Sequence, residues 1–166
     1  MMKKIVSILF IALMLITTIF AVTTSAAEVL IDSSYTDFYM GSNHVKLTGE
    51  AFYDSTTGQV HGKTTLSALG TPSGSVSASI WSFAEIHFIE PRLPNVELGD
   101  IKNVTLTSSH TFDYVDIYFD LPSTTDYVTI YHRTQYGNNT PVSVFTYING
   151  TDVNEVETNY LSGIDF

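Results

Sequence analysis

The second half of the sequence holds six aromatic and charged side chains whose types and spacing suit them to bind a sugar. Residues 112–120, which read FDYVDIYFD, alternate as in a β-strand, so their even-numbered tyrosines and aspartates share one face. If residues 127–135 return beside them through a hairpin, two more tyrosines and an arginine join that face. Tyrosine rings cover the apolar faces of a sugar, and fixed charged groups bind its hydroxyls. The predicted ligand-binding residues are Tyr114, Asp116, Tyr118, Tyr127, Tyr131 and Arg133.

A purely structural role is the alternative for these tyrosines, because cross-strand aromatic pairs stabilise the exposed face of many antiparallel sheets. The ligand-binding hypothesis also depends on the direction of the side chains in residues 112–120. Val115, Ile117 and Phe119 must pack into the interior, since only then do Tyr114 and Tyr118 lie outward.

Calcium is the ion expected for a secreted acidic sandwich, and two aspartates are its candidate ligands. Asp120 and Asp126 bracket the segment LPSTT, whose carbonyl and hydroxyl oxygens could complete an oxygen shell. Their spacing matches no established calcium loop, and aspartate is also common in ordinary turns. Asp116 is four strand residues from Asp120, roughly 13 Å, too far for both to bind one ion directly.

Catalytic residues are not predicted. The five histidines are scattered, and the sequence contains neither a nucleophile elbow nor a zinc-binding helix motif. Glu85 and His87 share one face of a strand and could supply two of three metal ligands, but no third is identified. The seventeen acidic residues offer many carboxylate pairs for glycoside hydrolysis, and only their distances would select among them. The pattern favours a binding protein over an enzyme.

A serine- and threonine-rich segment, residues 63–81, raises a membrane-active alternative. Its apolar and small polar residues alternate on both sides of the sequence GTPSG, as in hairpins that line a transmembrane β-barrel. The same alternation describes a half-buried hairpin of a soluble sandwich.

The N-terminal 27 residues have the three regions of a secretory signal peptide. Lys3 and Lys4 precede an apolar run over residues 5–22, and small and polar residues follow it up to Ala27. Cleavage after Ala27 is predicted, which makes the protein secreted and extracellular. A retained membrane anchor is the alternative, because the apolar run approaches the length of a spanning helix.

Composition limits the functions open to the mature chain. Removal of the signal leaves 139 residues with five basic and seventeen acidic side chains, a net charge of −12. Such a surface repels nucleic acid and anionic lipid. The absence of cysteine excludes thiol catalysis and disulfide stabilisation, so stability must come from packing.

The mature chain has a period of two residues almost throughout, interrupted by glycine, proline, asparagine and aspartate. This pattern predicts one all-β domain over residues 28–166, an antiparallel β-sandwich or jelly roll of about eight to ten strands. A short C-terminal helix is predicted over residues 151–163, where Asp152 could cap the start and Gly163 could end the helix.

Together these features predict a secreted, non-catalytic protein that binds carbohydrate or another cell-surface polymer. A pore-forming toxin and a secreted metal-dependent or carbohydrate-active enzyme are the alternatives. The sequence predicts neither the identity of the ligand nor the oligomeric state.

Overall fold

A computed structural model describes residues 28–149, which form eight β-strands. The strands are β1 (Val29–Met40), β2 (Asn43–Asp54), β3 (Gln59–Ala68), β4 (Val76–Phe88), β5 (Val96–Leu106), β6 (Phe112–Asp120), β7 (Thr125–Gln135) and β8 (Val142–Asn149). The predicted signal peptide and the predicted C-terminal helix lie outside the described residues. Within residues 28–149, no helix is long and apolar enough to span a membrane.

The strands form two four-stranded antiparallel sheets that pack face to face. Sheet 1 has the order β1-β2-β3-β6, and sheet 2 has the order β5-β4-β7-β8. The prediction of an all-β antiparallel sandwich is therefore confirmed. A salt bridge of 2.6 Å between Lys102 on β5 and Asp113 on β6 joins the two sheets along one side. On the other side, Asp32 accepts a 2.8 Å hydrogen bond from the backbone amide of Tyr147.

The β2–β3 hairpin follows the sequence pattern closely. Its turn ends at Gly58, which adopts a positive φ of 72° that glycine tolerates best. The Asp54 carboxylate accepts a 2.8 Å hydrogen bond from the amide of Thr56 and thereby fixes the turn. In the resulting register Glu50 lies opposite Lys63.

Strand β6 has the predicted inner and outer faces. Val115, Ile117 and Phe119 are buried in the core, with Val115 only 5% exposed. Tyr114 and Tyr118 lie outward, and 55% of Tyr118 is accessible to solvent. The alternation on which the ligand-binding hypothesis depends is thus confirmed for this strand.

Two expected hairpins are wrong, because the chain changes sheets at both places. Strand β6 pairs with β3 in sheet 1, whereas β7 lies between β4 and β8 in sheet 2. Strands β3 and β4 likewise belong to different sheets, so the segment proposed for a pore forms no paired hairpin. The alternation along each strand does not distinguish a hairpin from a crossing between sheets. A strand buries the same apolar face whether the next strand pairs with it or lies in the opposite sheet.

The core consists of two apolar clusters with a polar contact between the sheets. His132 on β7 is fully buried, and its Nδ1 lies 2.7 Å from Oγ1 of Thr64 on β3. Its Nε2 lies 2.8 Å from Oγ1 of Thr146 on β8. The imidazole therefore connects sheet 1 to sheet 2 with both ring nitrogens hydrogen-bonded.

Gly49 on β2 makes room for this imidazole. A Cβ atom at position 49 would lie 2.1 Å from Cδ2 of His132, a distance that no packed structure tolerates. Glycine within a strand often marks such a close approach. Burial without a counter-charge lowers the pKa of His132 to about 4, so the ring is neutral at pH 7.

Candidate functional site

The six predicted ligand-binding residues lie on two opposite surfaces. Tyr114, Asp116 and Tyr118 belong to the outer face of sheet 1, and the other three belong to the outer face of sheet 2. The prediction of one continuous face is wrong, because β6 and β7 do not pair. Each half must be considered with its actual neighbours. The residues on sheet 2 are Tyr127, Tyr131 and Arg133.

The outer face of sheet 1 carries a stack of three rings across β2, β3 and β6. His61 lies between Phe52 and Tyr118, with ring centroids 5.2 Å and 4.3 Å away. Its Nδ1 is 3.0 Å from a Glu28 carboxylate oxygen, and its Nε2 is 2.9 Å from Asp116. The polar groups of this stack are therefore already engaged with one another.

Lysines cover further rings on the same face. The Lys46 ammonium lies 4.0 Å from the centroid of the Tyr35 ring, and the Lys63 ammonium lies 4.8 Å from that of Tyr114. Burial, followed by the charges of Asp116 and Glu28, raises the pKa of Tyr118. Charged and aromatic side chains of this face therefore contact one another.

The outer face of sheet 2 differs because it contains an open groove. Cross-strand pairing places Trp81 beside Arg133 and Phe83 beside Tyr131. These four residues and Glu85 line a depression of about 330 Å³. Most of its lining is aromatic, and one cation and one carboxylate lie within the same depression.

Glu85 fixes one side of the groove through two hydrogen bonds. The Tyr131 hydroxyl donates to Glu85 Oε2 at 3.1 Å, and the Asn95 side-chain amide donates to Oε1 at 2.7 Å. Burial, followed by this contact with Glu85, raises the pKa of Tyr131, so its hydroxyl keeps its proton. The ring of Tyr131 is thereby held in a defined position beside Phe83.

Arg133, at the other end of the groove from Glu85, contacts an aromatic ring. Its guanidinium carbon lies 5.9 Å from the centroid of the Trp81 ring, within the range of a cation–π contact. No acidic residue in the described part of the chain forms a salt bridge with it. The Arg133 side chain is exposed, so its N–H donors face solvent beside an aromatic surface.

The aromatic surface continues beyond the groove on both sides. The ring of Phe145 on β8 meets Tyr131 edge-on at 5.2 Å, and Tyr147 is exposed on the same strand. Tyr127 stacks on His87 at 4.1 Å near the other end of β7. This breadth would allow a ligand longer than a single sugar ring to lie across sheet 2.

The predicted ligand-binding residues did not include three groove residues, Trp81, Phe83 and Glu85, although Glu85 was a candidate metal ligand. Alternation along β4 does place them on one face, but β4 was not paired with β7 in the expected topology. The sequence signal that could have identified these residues is that β4 carries apolar side chains on both of its faces. Trp81 and Phe83 are partly covered by side chains of neighbouring strands on the same face.

The candidate metal ligands belong to no larger group of histidine and acidic side chains in the described residues. Asp120 and Asp126 are both exposed, and Asp120 accepts a hydrogen bond of 3.5 Å from the Gln59 side-chain amide. His87 Nε2 lies 3.6 Å from Glu85 Oε1, and no third ligand joins them. Across residues 28–149, no group of three or more histidine or acidic side chains is placed to hold a metal ion.

The fold and the groove define a class of protein: an antiparallel β-sandwich with a solvent-open aromatic site on one sheet. No protein family model matches the chain, and no curated protein matches it. Among solved structures, R. palustris CsgH is similar with a TM-score of 0.36 and 10% identity over 74% of this chain and 94% of that one. A Bordetella pertussis protein assigned as ApaA has a TM-score of 0.32 and 16% identity over the same shares. These similarities are too weak to inform function.

Proposed function

We propose that this is a secreted protein that binds carbohydrate through the groove on the outer face of sheet 2. The observation that carries the proposal is the combination of Trp81, Phe83 and Tyr131 with Glu85 and Arg133 in one open depression. The rings offer apolar surface for the C–H faces of a sugar, while the charged groups and the tyrosine hydroxyl offer hydrogen bonds to its hydroxyls.

Sheet 2 is favoured over sheet 1 by the state of its polar groups. On sheet 1, the ring nitrogens of His61 lie within hydrogen-bond distance of two carboxylates, Glu28 and Asp116. Binding there would first have to break these contacts. On sheet 2, Arg133 has no acidic partner among the described residues, and the groove is open to solvent. A ligand that binds sheet 2 would therefore break fewer existing contacts than a ligand that binds sheet 1.

The carboxyl groups near the groove make it necessary to test cleavage together with binding. Both oxygens of Glu85 accept hydrogen bonds from neighbouring side chains, which hold it in place. Glu97 lies opposite it on β5, outside the groove lining. A glycosidase needs one carboxyl group that donates a proton and a second that acts as nucleophile or base. Product analysis after binding separates the two activities.

The proposal predicts that Tyr131→Ala weakens retention on insoluble polysaccharides about tenfold, as expected when a central aromatic contact worth roughly 1–2 kcal/mol is lost. The measurement is a depletion assay with the mature protein over a panel of plant, fungal and bacterial polysaccharides. Soluble products are analysed in the same samples.

Tyr118→Ala is the matched control, because it removes an exposed tyrosine from the opposite sheet. Its retention should equal that of the unchanged protein, and circular dichroism should show both variants folded. The proposal is wrong if no polysaccharide retains the protein, or if Tyr118→Ala abolishes retention while Tyr131→Ala leaves it intact. Release of sugar products would replace it with an enzymatic function.

A further inference from the structure

We infer that the groove recognises a sugar that carries a carboxylate, such as a uronic acid, and that this carboxylate binds Arg133. The inference rests on the proposed function and names the class of its ligand. Its basis is the unequal charge along the groove, with the Arg133 guanidinium at one end, without an acidic partner among the described residues, and the Glu85 carboxylate at the other.

Arg133 differs from Lys102, which forms a 2.6 Å salt bridge with Asp113. Like Lys46 and Lys63, whose ammonium groups lie over tyrosine rings, Arg133 forms no salt bridge among the described residues. Arg133 contacts the Trp81 ring and is exposed. A guanidinium that rests on a ring still has N–H donors at its edge, in the planar geometry that matches both oxygens of a carboxylate.

The opposite end of the groove sets the orientation of the ligand. Glu85 is two residues beyond Phe83 on β4, and Glu97 lies opposite Glu85 on the adjacent strand. Trp81 and Glu85 are four strand residues apart, roughly 13 Å, so the two ends are separated by more than one sugar ring. Carboxylates at this end repel an anionic group and accept hydrogen bonds from hydroxyls. The sugar carboxylate therefore belongs at the Arg133 end.

The overall charge limits how many carboxylates the ligand carries. The mature chain has a predicted net charge of −12, which repels a densely charged polyanion. A ligand with single carboxylates separated by neutral sugars places one anionic group on Arg133 and presents hydroxyls to the remaining surface. We therefore expect an acidic heteropolysaccharide of low charge density.

The test compares one oligosaccharide with its own neutral derivative by isothermal titration calorimetry. The probe is a hexasaccharide of alternating glucuronate and N-acetylglucosamine, and the derivative has its carboxylates reduced to primary alcohols. The mature protein should bind the acidic form at least tenfold more tightly, because a bidentate charge-assisted pair is lost with the carboxylate.

Arg133→Gln should remove this preference and bind both forms equally, and Arg133→Lys should restore part of it, since lysine keeps the charge but not the planar fork. Arg92→Gln is the matched control, because Arg92 is exposed in the β4–β5 loop and loses the same charge. Its preference should be unchanged.

Each outcome distinguishes the two proposals. Equal binding of the acidic and reduced forms by the unchanged protein would overturn the inference and leave carbohydrate binding intact. A preference that survives Arg133→Gln would also overturn it, since the carboxylate would then bind elsewhere. Binding of neither form, together with no retention on the polysaccharide panel, would reject the proposed function itself.

Discussion

Replacing Gly49 by alanine is expected to lower the free energy of unfolding by about 3 kcal/mol, near the upper end for an overpacked core. The added methyl group would lie 2.1 Å from Cδ2 of His132 and 2.3 Å from its Cγ. The imidazole has little freedom to move away, because it is fully buried and hydrogen-bonded to Thr64 and Thr146. Urea denaturation of the purified mature protein measures the effect.

The double variant Gly49→Ala, His132→Ala is the control for this prediction. Without the imidazole, the new methyl group has space, so Gly49→Ala should cost far less in the His132→Ala background. A double-mutant cycle therefore yields a large coupling energy between the two positions. If Gly49→Ala costs the same in both backgrounds, the clash with His132 does not determine the need for glycine.

The second large effect is a loss of stability in mild acid. Burial lowers the pKa of His132 from 6.5 to about 4, so the unfolded chain binds a proton at a higher pH than the folded one. The contribution of the neutral ring is complete above pH 6.5 and is lost as the pH falls from 6.5 through about 4. The expected loss between pH 7 and pH 4 is about 3 kcal/mol, measured by urea denaturation.

His132→Gln isolates this contribution from the acidic residues, which also begin to titrate near pH 4. Glutamine keeps a donor and an acceptor for the two threonines but does not ionise in this range. Its unfolding free energy should therefore fall less than that of the unchanged protein over the same pH interval. Parallel pH profiles for the two proteins would show that His132 is not the titrating group.

Local alternation predicted the strands and their inner faces well. The inward direction of Val115, Ile117 and Phe119 follows from the apolar residues alone, because burying the other face would place charged Asp116 in the core. The pairing of Glu50 with Lys63 also follows locally, since the short turn after Asp54 sets the register of β2 and β3.

The assignment of strands to sheets was not predictable in the same way. The segment between β6 and β7 is short enough for a hairpin, yet the chain uses it to cross from sheet 1 to sheet 2. In either arrangement Ile117 and Ile130 are buried, so the hydrophobic pattern does not distinguish them. The assignment of strands to sheets depends on contacts between residues that are distant in sequence. Local sequence patterns do not specify these contacts.

The wrong strand pairing affected the prediction of the site more than the prediction of the fold. Tyr131 and Arg133 were predicted as binding residues beside β6, but their actual cross-strand neighbours are Phe83 and Trp81 on β4. Residue types and alternation can therefore identify candidate side chains. Which of them form one site depends on the order of the strands.

The fluorescence of Trp81 tests the central claim most directly, because Trp81 is the one tryptophan of the chain and lines the groove. Titration of the mature protein with a soluble fragment of any retained polysaccharide should change the tryptophan emission in a saturable manner. The midpoint should match the affinity measured by calorimetry and shift to about tenfold higher concentration in Tyr131→Ala. Calorimetric binding with unchanged Trp81 emission, and with full affinity in Tyr131→Ala, would place the ligand elsewhere and contradict the account.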